Sequence, residues 1–309
     1  MTAERDFIAA TELVEPVDHV IAFGKLLEFY GRTRQHEKHA EALARLRTEG
    51  HRLISEQTSN AGEDDPNTLE LLTLLGQTLC LAEGYSDGIP MLQQSLARHR
   101  IVFGSVHAKT LIPMNDLGLS LGKSNHAAEA VPLLEEALAV STQLYGQDHN
   151  NTLILMGNLG NTYAKAGRAD QAVSLEEKAL ARFAQNGDTQ HRLDTMHTLG
   201  FAYNQAQMWD KAVPFLRDTL ALDVQELGPE HDQTLVTMWN LGVACDGSGQ
   251  AEMAVPLLED AFEKHTRLLG ENADRTLLVL NDLALALIHA GKAKQSLPLL
   301  TRSVDVARR

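Results

Sequence analysis

The sequence predicts an all-α protein, a right-handed α-solenoid of stacked helix–turn–helix repeats. A Leu-Gly or Leu-Ala pair recurs six times, with 42, 42, 40, 42 and 42 residues between successive leucines. A second marker, a glycine, keeps the same register with spacings of 42, 42, 41, 41 and 42 residues. Each unit carries two segments with apolar residues at helical spacing. Because one such unit cannot bury its apolar face alone, successive copies must stack.

The two markers divide the chain. The leucines of the pairs are Leu75, Leu117, Leu159, Leu199, Leu241 and Leu283, and the second marker is Gly62, Gly104, Gly146, Gly187, Gly228 and Gly270. We therefore expect residues 62–309 to form one solenoid of six repeats of about 42 residues. Residues 1–61 have a helical pattern without the Leu-Gly pair, and we interpret them as a degenerate N-terminal hairpin that caps the first repeat.

Within each repeat, the first helix begins near a Thr-Leu pair such as Thr152-Leu153 and ends at a glycine or polar break such as Gly167. A proline recurs at one repeat position, at Pro90, Pro132, Pro214, Pro256 and Pro298. Proline lacks an N–H, and the first-turn donors of a helix have no intrahelical partner. The prolines therefore predict the start of the second helix to within a residue or two.

Composition argues against several classes of partner. The net charge is −14, which disfavours a nucleic-acid backbone or an anionic membrane as the main partner. No stretch approaches the roughly 18 uninterrupted apolar residues that a membrane helix needs. Two cysteines in 309 residues do not indicate a disulfide framework. We expect a cytoplasmic protein.

The sequence contains no motif that indicates catalysis. His107, His149 and His231 occupy one linker position in three of the repeats, too far apart to share a metal, and we expect local hydrogen bonding at the turn. Cys80 and Cys245 fall on the inner part of their helices, which indicates buried, unreactive thiols. We therefore predict no metal, no cofactor and no enzymatic activity.

The repeat resembles a known family. The pattern L-G-x-x-Y, then Gly, then two alanines at fixed offsets is similar to the tetratricopeptide repeat and is matched by Leu159, Gly160, Tyr163, Gly167, Ala172 and Ala179. Glu176 stands where an aromatic residue or Leu is usual. The 42-residue period and the linker GQDHNNTL, which ends at Leu153, resemble the kinesin-light-chain-like subclass.

A binding surface is expected on the concave wall, which the first helices of stacked hairpins line. The residues beside the Leu-Gly pair and one turn further on should face it: Asn115, Lys123, Asn158, Asn161, Lys165, His197, Asn204, Trp239, Asn240 and Asn281. The resemblance implies that Asn158, Asn161 and Asn240 grip the backbone of an extended peptide. The alternative is that the asparagines bond the next repeat and serve stacking alone, and both roles are compatible.

Two further features bear on the partner. We favour the groove for Trp239, as an anchor for the partner, over burial between helices. The family's carboxylate clamp is not matched, since Val236, Asn240 and Gly157 stand where it needs other residues. Lys123 and Lys165 suit an acidic segment, while the negative net charge suits a basic or mixed peptide equally well.

The sequence thus predicts a non-catalytic scaffold that binds a protein or an extended peptide, with no nucleic-acid or membrane partner. One alternative is a homodimeric structural scaffold, in which Leu26, Leu27, Phe29 and Tyr30 of the N-terminal hairpin supply an apolar patch. Another is an enzyme or small-molecule sensor with a site built across repeats.

Overall fold

The computed structural model describes residues 15–307, and these contain fourteen α-helices and no strand. The helices are α1 Pro16–Arg32, α2 His36–Ala61, α3 Pro66–Leu81, α4 Tyr85–Phe103, α5 Ala108–Lys123, α6 Ala127–Tyr145, α7 Asn150–Lys165, α8 Ala169–Asn186, α9 Thr189–Gln205, α10 Trp209–Glu226, α11 Asp232–Gly247, α12 Ala251–Leu269, α13 Asp274–His289 and α14 Ala293–Ala307. The prediction of an all-α fold is confirmed.

The helices fall into two compact units, Met1–Thr162 and Tyr163–Arg309, with the boundary inside α7. In the first unit α3 packs on α4 and α5 on α6, and the first helices α1, α3 and α5 also contact one another in sequence. In the second unit α9, α11 and α13 contact one another in the same way, and each packs on the helix that follows it. Stacked helical hairpins of this kind form an α-solenoid, as predicted.

The glycine of the Leu-Gly pair allows the two helices of a hairpin to approach closely. A Cβ atom on Gly118 would lie 2.6 Å from the side chain of Leu134 on the next helix. A Cβ on Gly242 would lie equally close, 2.6 Å, to Leu258. Real Cβ atoms essentially never come this close, so any larger residue at these glycines would force the leucine or the helices to shift.

The second glycine marker has a different cause. Gly104, Gly146 and Gly270 end their helices with φ of 87°, 88° and 95° and ψ of 166°, 165° and 163°. This backbone region is accessible essentially to glycine alone. At these three positions the glycine therefore ends the second helix of one repeat, where the chain turns toward the next repeat.

The proline prediction is wrong. The second helices begin five residues before the proline, so that Pro90, for example, is the sixth residue of α4. A proline at this depth removes one backbone hydrogen bond and crowds the carbonyl four residues earlier. All five prolines are solvent-exposed, so water can satisfy that carbonyl.

The N-terminal hairpin of α1 and α2 packs on α3 through a cluster that includes Val20, Phe23, Leu46 and Leu75. Of the residues considered for a dimer patch, Leu26, Leu27 and Tyr30 are buried in this cluster and Phe29 is exposed. Residues 1–14 of the predicted cap lie outside the described part of the chain. The division at residues 61 and 62 stays a prediction.

Glu176 departs from the repeat pattern. It is fully buried on α8 at the position that Leu134, Leu216 and Leu258 occupy in other repeats. Burial raises the pKa of its carboxyl well above the ordinary value, and neither carboxyl oxygen has a hydrogen-bond partner among the described residues. A buried carboxyl at a leucine position lowers stability.

We predict that Gly242→Ala destabilises the protein. Overpacking against Leu258 costs roughly 1–3 kcal/mol, which outweighs the gain of about 1 kcal/mol in helix propensity. Denaturant unfolding measures the difference. Gly31→Ala on α1 is the matched control, because nothing lies within 4 Å of its Cβ position; it should leave the protein as stable or stabilise it. Equal effects of the two substitutions would contradict the packing argument.

We predict that Glu176→Leu raises the free energy of unfolding by roughly 1–3 kcal/mol at neutral pH. Since the folded-state pKa of Glu176 is raised, wild-type stability is lost as pH rises above the unfolded-state value near 4.5. The gain from the substitution should therefore be larger at neutral than at acidic pH. Thermal unfolding across pH measures it, with the exposed Glu263→Leu as control. A gain independent of pH would refute this role of the carboxyl.

Candidate interaction surface

Polar side chains connect the first helices of neighbouring repeats in each unit. In the first unit, Nδ2 of Asn158 donates to Oδ1 of Asn115 at 2.9 Å. In the second unit, the indole Nε1 of Trp239 donates to Oδ2 of Asp282 at 2.7 Å. The partners stand 43 residues apart in both pairs. One repeat plus one residue is therefore the offset that brings side chains together across adjacent first helices.

The ten residues predicted for the groove differ in exposure. Lys123, Lys165 and Asn281 are exposed, Asn204 is buried, and Asn115, Asn158, Asn161, His197, Trp239 and Asn240 are half-buried. The first unit contains Asn115, Lys123, Asn158 and Asn161, and the second contains the other six. Within the units, the structure joins Asn115 to Asn158, and Nδ2 of Asn204 to the backbone carbonyl of Asn240 at 2.9 Å.

Two roles were expected for the asparagines, peptide binding and stacking between repeats. The observed contacts match stacking. The bond from Asn158 to Asn115 uses one of the two amide hydrogens of Asn158, so stacking does not exhaust the amide. Trp239 is neither fully exposed in the groove nor fully buried between helices. It is half-buried, and it packs against the cluster of Met238 and Val279. Peptide binding by these residues stays a prediction.

His197 has a partner inside its own repeat. Its Nε2 lies 2.7 Å from Oδ1 of Asp223, and the side chains are 9% and 0% exposed. The contact joins α9 to α10, the two helices of one hairpin. His197 therefore contributes to packing within the repeat, whatever it contributes at the surface.

The linker histidines act as helix caps. Nδ1 of His107, His149 and His231 accepts a hydrogen bond from the backbone N–H two residues on, at 3.1, 3.2 and 3.2 Å. The rings of His107 and His149 also stack on Phe103 and Tyr145 at the end of the preceding helix. The bonds satisfy first-turn donors that lack an intrahelical partner. The prediction of local hydrogen bonding at the turn is confirmed.

Both cysteines are buried, as predicted. Burial raises the pKa of the Cys80 and Cys245 thiols, which keeps them protonated. Among residues 15–307, the side chains form no group of three or more His, Cys, Asp or Glu suited to a metal ion. No helix in this described range is long and apolar enough to span a bilayer.

A cavity of about 390 Å³ opens on the first helices of the first unit. Its apolar wall comes from Val17, Ile21, Pro66, Leu74 and Ile112, and its polar groups from Glu70, Thr73, Gln77, His99, Lys109 and Asp116. The sequence prediction missed this cavity because α1 supplies part of the wall and lies outside the repeats. One signal was available: the repeat position of Ile112 is aliphatic again in Ile154, Val236 and Leu278.

Stacked helical hairpins place the chain among the helical-repeat proteins of the solenoid class. A family model described as tetratricopeptide repeat matches residues 67–141, 127–185 and 191–264, more than half of the chain. The chain belongs to the tetratricopeptide repeat family. This repeat fold is that of protein-interaction scaffolds and is typically non-catalytic.

Solved structures share the fold. A kinesin-light-chain-like protein of Podosopora anserina with nearly identical TPR-like repeats is 24% identical, with a TM-score of 0.56, and the match covers 66% of this chain and 98% of that one. BtubC (BKLC) from P. vanneervenii is 19% identical, with a TM-score of 0.54, and the match covers 73% and 89% of the two chains. No curated protein sequence matches this chain significantly.

We predict that Asn115 and Asn158 are energetically coupled. A double-mutant cycle of Asn115→Ala and Asn158→Ala should give a coupling of about 0.5–1.5 kcal/mol in denaturant unfolding, the net contribution of one hydrogen bond. The cycle of Asn115→Ala with Asn161→Ala is the control and should give a coupling near zero. If the first pair is as independent as the second, the amide bond does not stabilise stacking.

Proposed function

We propose that this protein is a non-catalytic scaffold that binds a partner protein or an extended peptide along the exposed faces of its first helices. The observation that supports this most is the surface of α13. Leu278 and Leu285 are 53% and 47% exposed there, and the exposed Asn281 lies between them at helical spacing. Aliphatic side chains and an amide on one helix face suit a peptide, which offers side chains and backbone polar groups together.

The first unit presents a related face on α5. Ile112 is 57% exposed, and Asn115 and Leu119 follow at the same spacing with half-buried side chains. The equivalent residues on α11 are Val236, Trp239 and Val243, all half-buried. Each described face thus combines aliphatic groups with a hydrogen-bonding side chain, which favours a partner held by both kinds of contact.

Dimerisation through the N-terminal hairpin is supported less well. Three of its four candidate residues, Leu26, Leu27 and Tyr30, already pack in the hairpin's cluster with α3. A surface that caps the first repeat in this way is not available to a second copy of the chain without unfolding the cap. The peptide-binding role therefore remains our preferred function.

Affinity capture from the native cell extract tests the proposal. We expect the double variant Asn281→Ala and Leu285→Ala to recover its specific partner about tenfold less well than the wild type, since it removes a central contact. The captured partner is then purified and its affinity measured directly. Trp239→Ala with Asn240→Ala should have a similar effect.

The matched control is Gln295→Ala with Leu297→Ala, an exposed amide and an exposed leucine on the second helix α14. This pair should leave partner recovery unchanged. Circular dichroism must show that all variants fold. If the α13 and α14 pairs reduce recovery equally, or neither reduces it, the first helices do not form the binding surface.

A further inference from the structure

Asp116, on α5, lacks the hydrogen-bond donor that the equivalent residue of another repeat has. The residue is 9% exposed, and its Oδ2 atom has no hydrogen-bond partner among the described residues. Asp282 occupies the same repeat position and accepts a bond from Trp239, 43 residues earlier. The residue 43 positions before Asp116 is Thr73, on the adjacent first helix.

Thr73 cannot replace the tryptophan as a donor. Its hydroxyl donates to the backbone carbonyl of Leu69 at 2.8 Å and lies 2.6 Å from the hydroxyl of Ser95. With its single hydrogen used on Leu69, it has none for Asp116. The carboxyl of Asp116 keeps only a long contact of 3.4 Å from the amide of Asn115 to its other oxygen. An acceptor is therefore left buried without a donor, which is unfavourable unless something else supplies one.

Asp116 is one of the residues that line the cavity of about 390 Å³ between α1, α3, α4 and α5. The wall beside it is aliphatic, with Ile21, Leu74 and Ile112. Two acids, Glu70 and Asp116, face one cation, Lys109, whose Nζ lies 5.1 Å from the centre of the Phe103 ring. The cavity therefore combines an apolar passage with an excess of negative charge.

We propose that this cavity binds a lysine or arginine side chain of the partner segment, with the aliphatic stem against Ile21 and Ile112 and the cationic head at Asp116. The inference rests on the proposed function, since it specifies a residue of the bound peptide. Long basic side chains lay their methylene groups along apolar surface while the charge finds an acceptor. The net charge of −14 also attracts basic segments.

Titration of Asp116 supplies an independent measure of the contact. Burial raises the pKa of its carboxyl to about 6. A bound cation favours the ionised form, so the affinity should fall as pH falls through this value. Asp116 also lines a second, smaller cavity on α3, α4 and α5. The other titratable or charged groups that line the two cavities are Glu70, Cys80, Tyr85, His99, Lys109 and Lys123. Burial lowers the pKa of His99, and because this ring also lines the cavity, the pH dependence is judged from the difference between the wild type and Asp116→Asn.

The test is a methyl NMR titration of the full chain, labelled at isoleucine, with a short capped peptide that has one lysine between valines. A second peptide replaces that lysine by norleucine, which keeps most of the aliphatic stem and removes the charge. We expect the resonances of Ile21 and Ile112 to shift with the lysine peptide and that of Ile101, exposed on the second helix α4, to stay. The norleucine peptide should bind about tenfold more weakly, as expected for loss of a charge-assisted bond.

Asp116→Asn should abolish the preference for lysine over norleucine and leave the norleucine affinity unchanged. Asp210→Asn, an exposed acid on α10, makes the same chemical change away from the cavity and should preserve the preference. Between about pH 7.5 and about pH 5, the wild-type affinity for the lysine peptide should fall about tenfold, and that of Asp116→Asn should not.

Equal binding of the two peptides, no shift at Ile21 and Ile112, or no binding of either peptide would overturn the inference. A preference for lysine that survives Asp116→Asn would also overturn it. The proposed function can be judged separately, since affinity capture of a partner that depends on α13 but not on Asp116 would leave the scaffold role intact.

Discussion

The close approach of two helices at one glycine is the contact on which the rest of the architecture depends. At Gly76, Gly118, Gly200 and Gly242 the leucine of the following helix occupies the space of the missing side chain. The hairpin of α13 and α14 has Ala284 at this position, and Leu300, the counterpart of the fully buried Leu258, is 38% exposed. Leu300 also lies on the last described helix, against which no further described hairpin packs. The hairpin spacing fixed by the glycine in turn places the next first helix.

That placement produces the offset of 43 residues between facing side chains. The same offset joins His289 to Asp246 and Arg275 to Asp232 in the second unit. The first helices therefore meet through polar contacts at one offset, and the buried members of this set are favourable only when each finds its partner. A mid-helix asparagine, which is poor for the helix itself, becomes useful because it can bond to the adjacent first helix and still present a second amide hydrogen.

The sequence was sufficient to predict the repeat, its helices and the histidine caps, because all three follow from periodicity and local hydrogen bonding. It misplaced the start of the second helices, because the five prolines sit on exposed faces where water replaces the lost bond. It placed the groove residues without revealing which of them, such as His197, bond within the repeat. The aliphatic repeat position of Ile112 indicated one wall of the cavity, but the rest could not be predicted, since α1 belongs to no repeat and its packing against α3 depends on tertiary contacts.

Departures from the repeat are informative for the same physical reason. A residue that follows the pattern has its partners supplied by the neighbouring copy, so its identity is explained by stacking. Asp116 follows the pattern of its position but loses its donor because Thr73 replaces a residue able to reach it, and Glu176 replaces a leucine outright. Both leave a buried carboxyl; Glu176 is fully buried, whereas Asp116 lines a cavity with aliphatic walls. A carboxyl sealed in the core lowers stability alone, whereas one that adjoins a cavity can recover that cost on binding a cation. Ligand specificity in this chain is therefore to be sought where the repeat pattern leaves an acceptor without its donor beside an open cavity.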